Sequence, residues 1–388
     1  MDEDSKLILT RYFKEYYFRY SGKIKRPTEM ESREFGYIHF GGGMIRHLSY
    51  TDIGAFRALL VKEAPAGVFC SNSYYREPSA EMQNKSWIKA DLIFDIDADL
   101  LKLPCKKDHD VWLCKQCGKK EFGLRPEVCP ACKGNKILEF SWACPLCLEG
   151  SKRETFRLLD FLKNDFGIAD SQIQVCFSGN AGYHIEVTKS SFELLDQHGR
   201  SDISDYLTAQ GAMTSVYNTP KLSPKDPGWR GRVARYIRDL PPNTPPFRTN
   251  EFSRRLQELI KDFGSDQMEK ILQLAVKSNA IRIDAMVTTD IHRIFRMSAT
   301  LNQKTGLVKK ECDDLLSFDP MIQAIALPDE NEQAEVEIDI CPKVELGGNV
   351  YGPYRNEKKK LPLYVAVYLI AKGAAKIAAP TEPKIHAG

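Results

Sequence analysis

The stretch Ala90-Asp91-Leu92-Ile93-Phe94-Asp95-Ile96-Asp97 decides how this chain is read. Side chains along an extended strand alternate between faces. Phe94 and Ile96 then point into a core, while Asp95 and Asp97 share the other face. Two carboxylates one strand repeat apart repel each other, and a cation between them removes the repulsion. Hard divalent ions such as Mg2+ take carboxylate oxygens and keep waters and substrate phosphates as their other ligands. The pair predicts a metal site that handles phosphate. The plainer alternative is a strand end breaking into a turn, with Asp99 as one more turn residue.

At 388 residues the chain has room for one large domain or two, each with its own core. Hydrophobic residues make up 43% and charged residues 28%, ordinary values for a soluble globular protein. No apolar run reaches the roughly 18 residues of a membrane span. The opening Met1-Asp2-Glu3-Asp4-Ser5-Lys6 is acidic, the opposite of a signal peptide's start. An intracellular, cytoplasmic protein is expected. A net charge of +3 does not by itself argue for nucleic acid, so a local basic surface would have to.

Outward from the aspartates, residues 3–19 carry Leu7, Ile8, Tyr12, Phe13 and Tyr16 at helical spacing. Residues 35–50 alternate around Gly41-Gly42-Gly43 as a hairpin would, and residues 53–62 read as helix. Residues 152–166 are a helix through Phe156, Leu159, Leu162 and Phe166, and residues 172–187 read as strand, tight turn, strand. Residues 190–280 are mostly helical, broken by a Pro and Gly cluster from 219 to 246. Strands are expected near 335–341 and a helix near 363–378, followed by a short polar tail.

Seven of the eleven cysteines lie between Cys105 and Cys147, in a segment with little apolar mass. Inside a cell they are poor candidates for disulfides, and the segment reads as a metal-stapled insertion. Cys114, Cys117, Cys129 and Cys132 form two C-x-x-C knuckles whose spacing suits a zinc ribbon. Cys105, His109, Cys144 and Cys147 would complete a second tetrahedral zinc site, with the ribbon inserted between its halves. The three knuckles also allow other pairings. Cys70, Cys176, Cys312 and Cys341 read as small buried apolar residues.

Ser178-Gly179-Asn180-Ala181-Gly182-Tyr183-His184 joins two expected strands. Its glycines allow a sharp turn and close approach of phosphate oxygens to amide groups, with Ser178 and His184 at either end. Ile281-Arg282-Ile283-Asp284 places another carboxylate at the end of a short alternating run. Thr289-Asp290 reads as a helix N-cap, with Ile291, Ile294 and Phe295 on one face of the helix and Arg293 and Arg296 on another, suited to an anion.

Taken together, Lys85 to Asp99, then Ser178-Gly179 to Gly182-Tyr183-His184, then Asp284 with Arg293, Arg296 and Lys304-Thr305-Gly306, resemble in order the three motifs of the catalytic small subunit of archaeal and eukaryotic DNA primases. Tyr12 to Tyr17, Ser32-Arg33-Glu34-Phe35-Gly36 and Met44-Ile45-Arg46-His47 extend the likeness, which covers about residues 5–185 and 280–375. The resemblance implies an α/β (α+β) fold, a primase-type mixed sheet flanked by helices, with a zinc-binding insertion and a helical insertion. On that reading residues 1–104, 148–189 and 281–388 form the catalytic domain, 105–147 the zinc-binding insertion and 190–280 a variable helical subdomain.

Carried over by motif, Asp95, Asp97 and Asp284 would bind catalytic Mg2+ or Mn2+. Arg46, Ser178, Gly179, His184, Arg293, Arg296 and Asn302 would surround the incoming triphosphate, and Cys105, His109, Cys144 and Cys147 match the family's zinc knuckle. Two departures stand out. Asn180-Ala181 occupies a place where relatives often have a basic residue, and Asn302 one where they often have a histidine. The Cys114–Cys132 ribbon is not a general feature of the family. The implied activity is two-metal nucleotidyl transfer making primers de novo on single-stranded DNA for replication, with nucleoside triphosphates as substrates and a large regulatory subunit as partner, without a membrane. A gap-filling polymerase of the same superfamily, or a zinc-ribbon nucleic-acid-binding protein without catalysis, are the competing readings.

Overall fold

The structure, a computed structural model, describes residues 1–217, 221–240 and 265–378. Two four-stranded antiparallel sheets position the chemistry. The first runs Ile294–Arg296, Gly67–Ser71, Phe35–Ile38, Met44–Leu48, and the second runs Lys310–Glu311, Ile173–Phe177, Gly182–Val187, Leu92–Asp97. The expected hairpin over 35–50 is present, with Phe35 opposite Leu48 and Ile38 opposite Met44. The His184 ring of the second sheet meets the Phe295 ring of the first, their centroids 4.2 Å apart, and marks where the sheets face each other.

The helix Glu3–Tyr20 is capped by Asp2 and buries Leu9, Tyr12, Phe13, Tyr16 and Tyr17. Its Tyr16 hydroxyl donates to the Ala299 carbonyl at 3.0 Å, which ties the N-terminus to the loop behind the first sheet. A third sheet pairs Gln333–Cys341 with Tyr354–Pro362 and Ala375–Ile377. The mixed α/β architecture is therefore present, with its strands shared among several sheets and every pairing of the second sheet antiparallel.

Several expected boundaries move. The helix read at 152–166 begins earlier, at Pro145, and runs to Asn164, because Cys144 and Pro145 supply a helix start. The helix expected at 363–378 ends at Ala371: Gly373 turns the chain at φ +70, and Ala375–Ile377 joins the third sheet. Residues 281–284 form no strand; Asp284 is the N-cap of the short helix Ala285–Thr289. The helix expected after Asp290 is absent, since Ile294–Arg296 is a strand paired with Gly67–Ser71. The open edge of Gly67–Ser71 supplies backbone partners, and Ile294 and Phe295 suit a pleated surface, so pairing overrides the helical spacing. Arg293 and Arg296 consequently share no helix face. Cys70, Cys176 and Cys341 are buried, whereas Cys312 is half-buried.

The region 190–280 contributes the helices Gln197–Thr208, Gly228–Asp239 and Ser265–Asn279. The ends of the Pro and Gly cluster at 219–246, residues 219–220 and 241–246, lie outside the described residues, as does the polar tail from residue 379.

Candidate active site

Phe94 and Ile96 are fully buried, and Asp95 and Asp97, on the other face of the strand, are half-buried. The register sets Asp95 opposite His184 and Asp97 opposite Gly182. At Gly182 a side chain cannot be accommodated, because a Cβ would lie 1.9 Å from the Ile96 carbonyl oxygen. This glycine lets the turn close against the aspartate strand. Asp284 joins them from far along the chain: its amide donates to the Asp95 carbonyl at 3.0 Å.

Asp97 accepts the Asp99 amide at 3.2 Å on Oδ1, and Asp284 accepts the Met286 amide at 3.0 Å on Oδ1. Each is thus oriented by its own backbone. Burial, then the neighbouring charges of Asp97 and Asp284, push the Asp95 carboxyl up to about 7, against the pull of Arg293 and Lys309. Burial and the adjacent Asp99 also raise Asp97. This is a cluster of acids that resists ionising together without a cation.

His184 lies beside them, its Nε2 3.5 Å from Asp95 Oδ1. Burial drives its pKa well below the ordinary value, helped by Lys309, Arg296 and Arg293, so the ring is neutral and the contact is no ion pair. Its Nδ1 is buried without a partner among the described residues.

The Ser178–Gly182 turn is built as a bend with Gly179 at φ +83, where only glycine is unstrained. The Ser178 amide donates to the Gly182 carbonyl at 2.9 Å, and the Asn180 amide to the Ser178 hydroxyl at 3.3 Å. The Asn302–Leu307 loop braces it from behind. Asn302 donates to the Ser178 carbonyl at 3.2 Å and accepts the Lys304 amide at 2.9 Å, so both ends of its amide are engaged in backbone bonds. It braces the turn, and its amide keeps a second N–H and a second lone pair beyond these two bonds.

The basic residues fall into two sets. Arg293 makes no ion pair or hydrogen bond through its guanidinium among the described residues, and its charge is felt by Asp95. Arg296 donates to the Leu301 carbonyl at 2.7 Å, and burial lowers its pKa to about 10. Arg46, by contrast, is tied to Glu34 and to the His292 carbonyl.

Sequence reasoning gives no role to Glu34 and Lys85, and leaves Lys309 and Lys372 unmentioned. Glu34 is fully buried, and Arg46, the His47 amide and Lys85 hold its carboxylate below the usual range in spite of burial. Lys309 donates to Glu186 at 2.6 Å and to the Arg296 carbonyl at 2.7 Å, bridging the two sheets. Lys372 donates to Asn180 Oδ1 at 2.9 Å and to the Ser141 carbonyl at 3.2 Å. Burial lowers the Lys372 pKa to about 8, while Asp99 and Asp97 pull the other way. Its place at the end of the apolar helix Leu363–Ala371 was the one signal available in sequence.

Two cysteine clusters have ligand atoms all within 4.8 Å of one another: Cys105, His109, Cys144, Cys147, and Cys114, Cys117, Cys129, Cys132. Sulfur–sulfur separations of 3.6 Å (Cys105–Cys147, Cys114–Cys132) and 3.7 Å (Cys117–Cys129) fit the edge of about 3.8 Å of a tetrahedron with metal–sulfur bonds of about 2.3 Å. His109 Nδ1 lies 2.9 Å from Asp110 Oδ1, which turns Nε2 toward Cys147 at 3.2 Å. Both groups could hold zinc, in the pairing expected from the spacing.

Comparison with known proteins agrees with this geometry. A family model described as DNA primase small subunit matches residues 142–314, which include the Ser178–Gly182 turn and Asp284. The chain is 35% identical over 387 residues to the DNA primase small subunit PriS of Nitrosopumilus maritimus, covering 97% of this chain and 100% of the relative. The chain belongs to the DNA primase small subunit family. The PriS of Cenarchaeum symbiosum is likewise 35% identical over 387 residues, with 97% and 100% covered. That of Archaeoglobus fulgidus is 32% identical over 390 residues, with 96% and 98% covered. A primase small subunit serves DNA replication and implies a companion subunit. No helix among the described residues is long and apolar enough to cross a membrane.

Proposed function

We propose that this primase subunit is the catalytic one, joining nucleotides de novo on a single-stranded DNA template, with Asp95, Asp97 and Asp284 as ligands of Mg2+ or Mn2+. The observation that carries the reading is the bond from the Asp284 amide to the Asp95 carbonyl, which brings a distant carboxylate to the aspartate strand. The donor set fits hard divalent ions: oxygen ligands only, with Asp95 raised by burial and then by its acidic neighbours. Asp95, Asp97 and Asp284 would hold such ions, which would supply Lewis acidity toward a 3′-hydroxyl and charge neutralisation for the leaving pyrophosphate.

The chain's own residues do the rest. The Ser178–Gly179 turn offers backbone amides and a hydroxyl to the triphosphate. Arg293, with its unpaired guanidinium, is the group best placed to take phosphate charge, and Arg296 and Lys309 add positive potential behind it. Neutral His184 serves as a hydrogen-bonding group and not as a cation. Arg46 acts at the rim, presented by Glu34. The 3′-oxygen forms a bond to the α-phosphorus, the bond from that phosphorus to pyrophosphate breaks, and the hydroxyl proton leaves to solvent. No side chain acts as nucleophile, so positioning carries much of the catalysis.

On this reading residues 1–104, 148–189 and 281–388 are the catalytic unit, 105–147 a structural zinc insertion, and 190–280 a variable helical part. The partner is a large regulatory subunit, the substrates are nucleoside triphosphates, and the enzyme works inside the cell on DNA. Asp95→Ala should abolish synthesis on primer-free single strands while the chain stays folded. Near-normal primer synthesis by that variant would overturn the assignment.

A further inference from the structure

The Cys114–Cys132 ribbon has no part in the chemistry above. Residues 115–136 carry six Lys and Arg against two Glu, a net +4, so the rest of the chain is net −1. Lys115, Lys119, Arg125, Lys133 and Lys136 are all exposed, and none makes an ion pair among the described residues. Lys120 is the exception, held by Asp339 at 2.9 Å.

Four of the lysines surround one end of the module. The Lys115 amide donates to the Lys136 carbonyl at 2.8 Å, and the Cys114 amide to the Lys119 carbonyl at 2.9 Å. Gln116 packs onto Gly134, next to Lys133, so closely that a Cβ there would lie 1.4 Å from its Oε1. Four thiolates around one Zn2+ would leave a charge of about −2, which offsets part of this excess and not all of it.

The other end of the insertion is anchored beside the aspartates. Lys106 donates to the Asp99 carbonyl at 3.2 Å, and Lys372 links the Ser141 carbonyl to Asn180 of the phosphate turn. Trp142 packs on Tyr368, ring centroids 6.0 Å apart.

We propose that the lysine end of the ribbon binds the phosphate backbone of the single-stranded template, while the other end of the insertion is anchored beside the aspartates. This rests on the primase reading for the identity of the strand. A cluster of exposed ammonium groups, offset only in part by the zinc–thiolate charge, fits a polyphosphate, which releases condensed counterions on binding. An acidic protein surface is the rival occupant. The ribbon's exposed apolar side chains, Leu124 and Val128, are too few to favour it.

The test measures binding of a labelled single-stranded oligonucleotide by the full-length, zinc-loaded chain, without nucleotides or magnesium. The combined variant Lys115→Gln, Lys119→Gln, Lys133→Gln, Lys136→Gln should bind at least tenfold more weakly at low salt. The slope of log affinity against log salt should flatten by about 3 for four lost phosphate contacts on a single strand. The corresponding Lys→Arg variant should restore both, and unchanged zinc content and melting should show that the ribbon still folds. Unaltered affinity and slope in the Gln variant overturn the proposal. So does a loss confined to primed duplex, or a loss of the companion subunit with DNA binding intact. No nucleotide is joined in this assay, so failure of the catalytic reading would show separately, in the Asp95→Ala synthesis measurement.

Discussion

Arg46 grips the buried Glu34 carboxylate through two hydrogen bonds, from Nε at 2.9 Å and from Nη2 at 3.2 Å. The His47 amide at 3.1 Å and Lys85 Nζ at 3.5 Å complete the shell around the acid. Glu34 therefore organises a small basic cluster at the edge of the first sheet and fixes the orientation of Arg46.

Removing the acid leaves the buried Lys85 and the Arg46 fork without a counter-charge. Glu34→Gln is expected to cost about 3 kcal/mol, because breaking a buried pair strands its partner. Arg46→Ala should cost less, since Lys85 still pairs with Glu34. Urea unfolding midpoints of the two variants check this order.

Asp95 gives a pH dependence of unusual sign. Its folded pKa, about 7, lies above the ordinary value of 3.8, so over that interval the folded chain holds the proton more tightly than the unfolded one. The group's contribution to stability is present below the unfolded value and is lost as pH rises through about 7. Asp95→Asn mimics the neutral form. In magnesium-free buffer it should be more stable than the parent at pH 8 by about 2–4 kcal/mol, with the gap closing near pH 4. Denaturant titrations at both pH values decide the matter, and magnesium should narrow the gap at pH 8 by stabilising the parent.

The two cysteine clusters differ in what depends on them. Cys147 is buried in the main core on the helix Pro145–Asn164, whereas Cys114 and Cys129 share a separate small core with Trp112 and Ile137. Cys147→Ser should lose one zinc and lower the main melting transition by roughly 10 °C, or about 3 kcal/mol. Cys117→Ser should lose one zinc with the main transition unmoved. Metal analysis beside thermal scans distinguishes these outcomes.

Lys372 holds Asn180 of the Ser178–Gly182 turn, which makes it a positioning residue on the proposed reading, and its charge favours ionised Asp97. Lys372→Met should raise KM for nucleotide about tenfold, on the scale of a lost hydrogen bond to a charged group. It should also shift the acid limb of the kcat/KM profile upward, because Asp97 protonates more readily. Lys372→Arg should recover the pH profile if the charge is what matters. A purely structural role would lower stability and leave the profile where it was.

Much of this site could be read in the sequence because its signals are local. Strand alternation alone sets Asp95 and Asp97 on one face and Phe94 and Ile96 on the other, and knuckle spacing alone puts paired thiolates within reach of one ion. The structure alone decided the rest. Arg293 and Arg296 carry helical spacing, yet Ile294–Arg296 became a strand, because Gly67–Ser71 offered an edge that no local pattern announces. The local sequence assigns no role to Glu34, Lys85 or Lys309, which the fold buries against partners distant in the chain. Which carboxylates and lysines converge depends on how two sheets pack, and that is fixed by the shared core rather than by any few residues. Local sequence thus set the carboxylates, thiols and turns, and tertiary packing chose which of them meet.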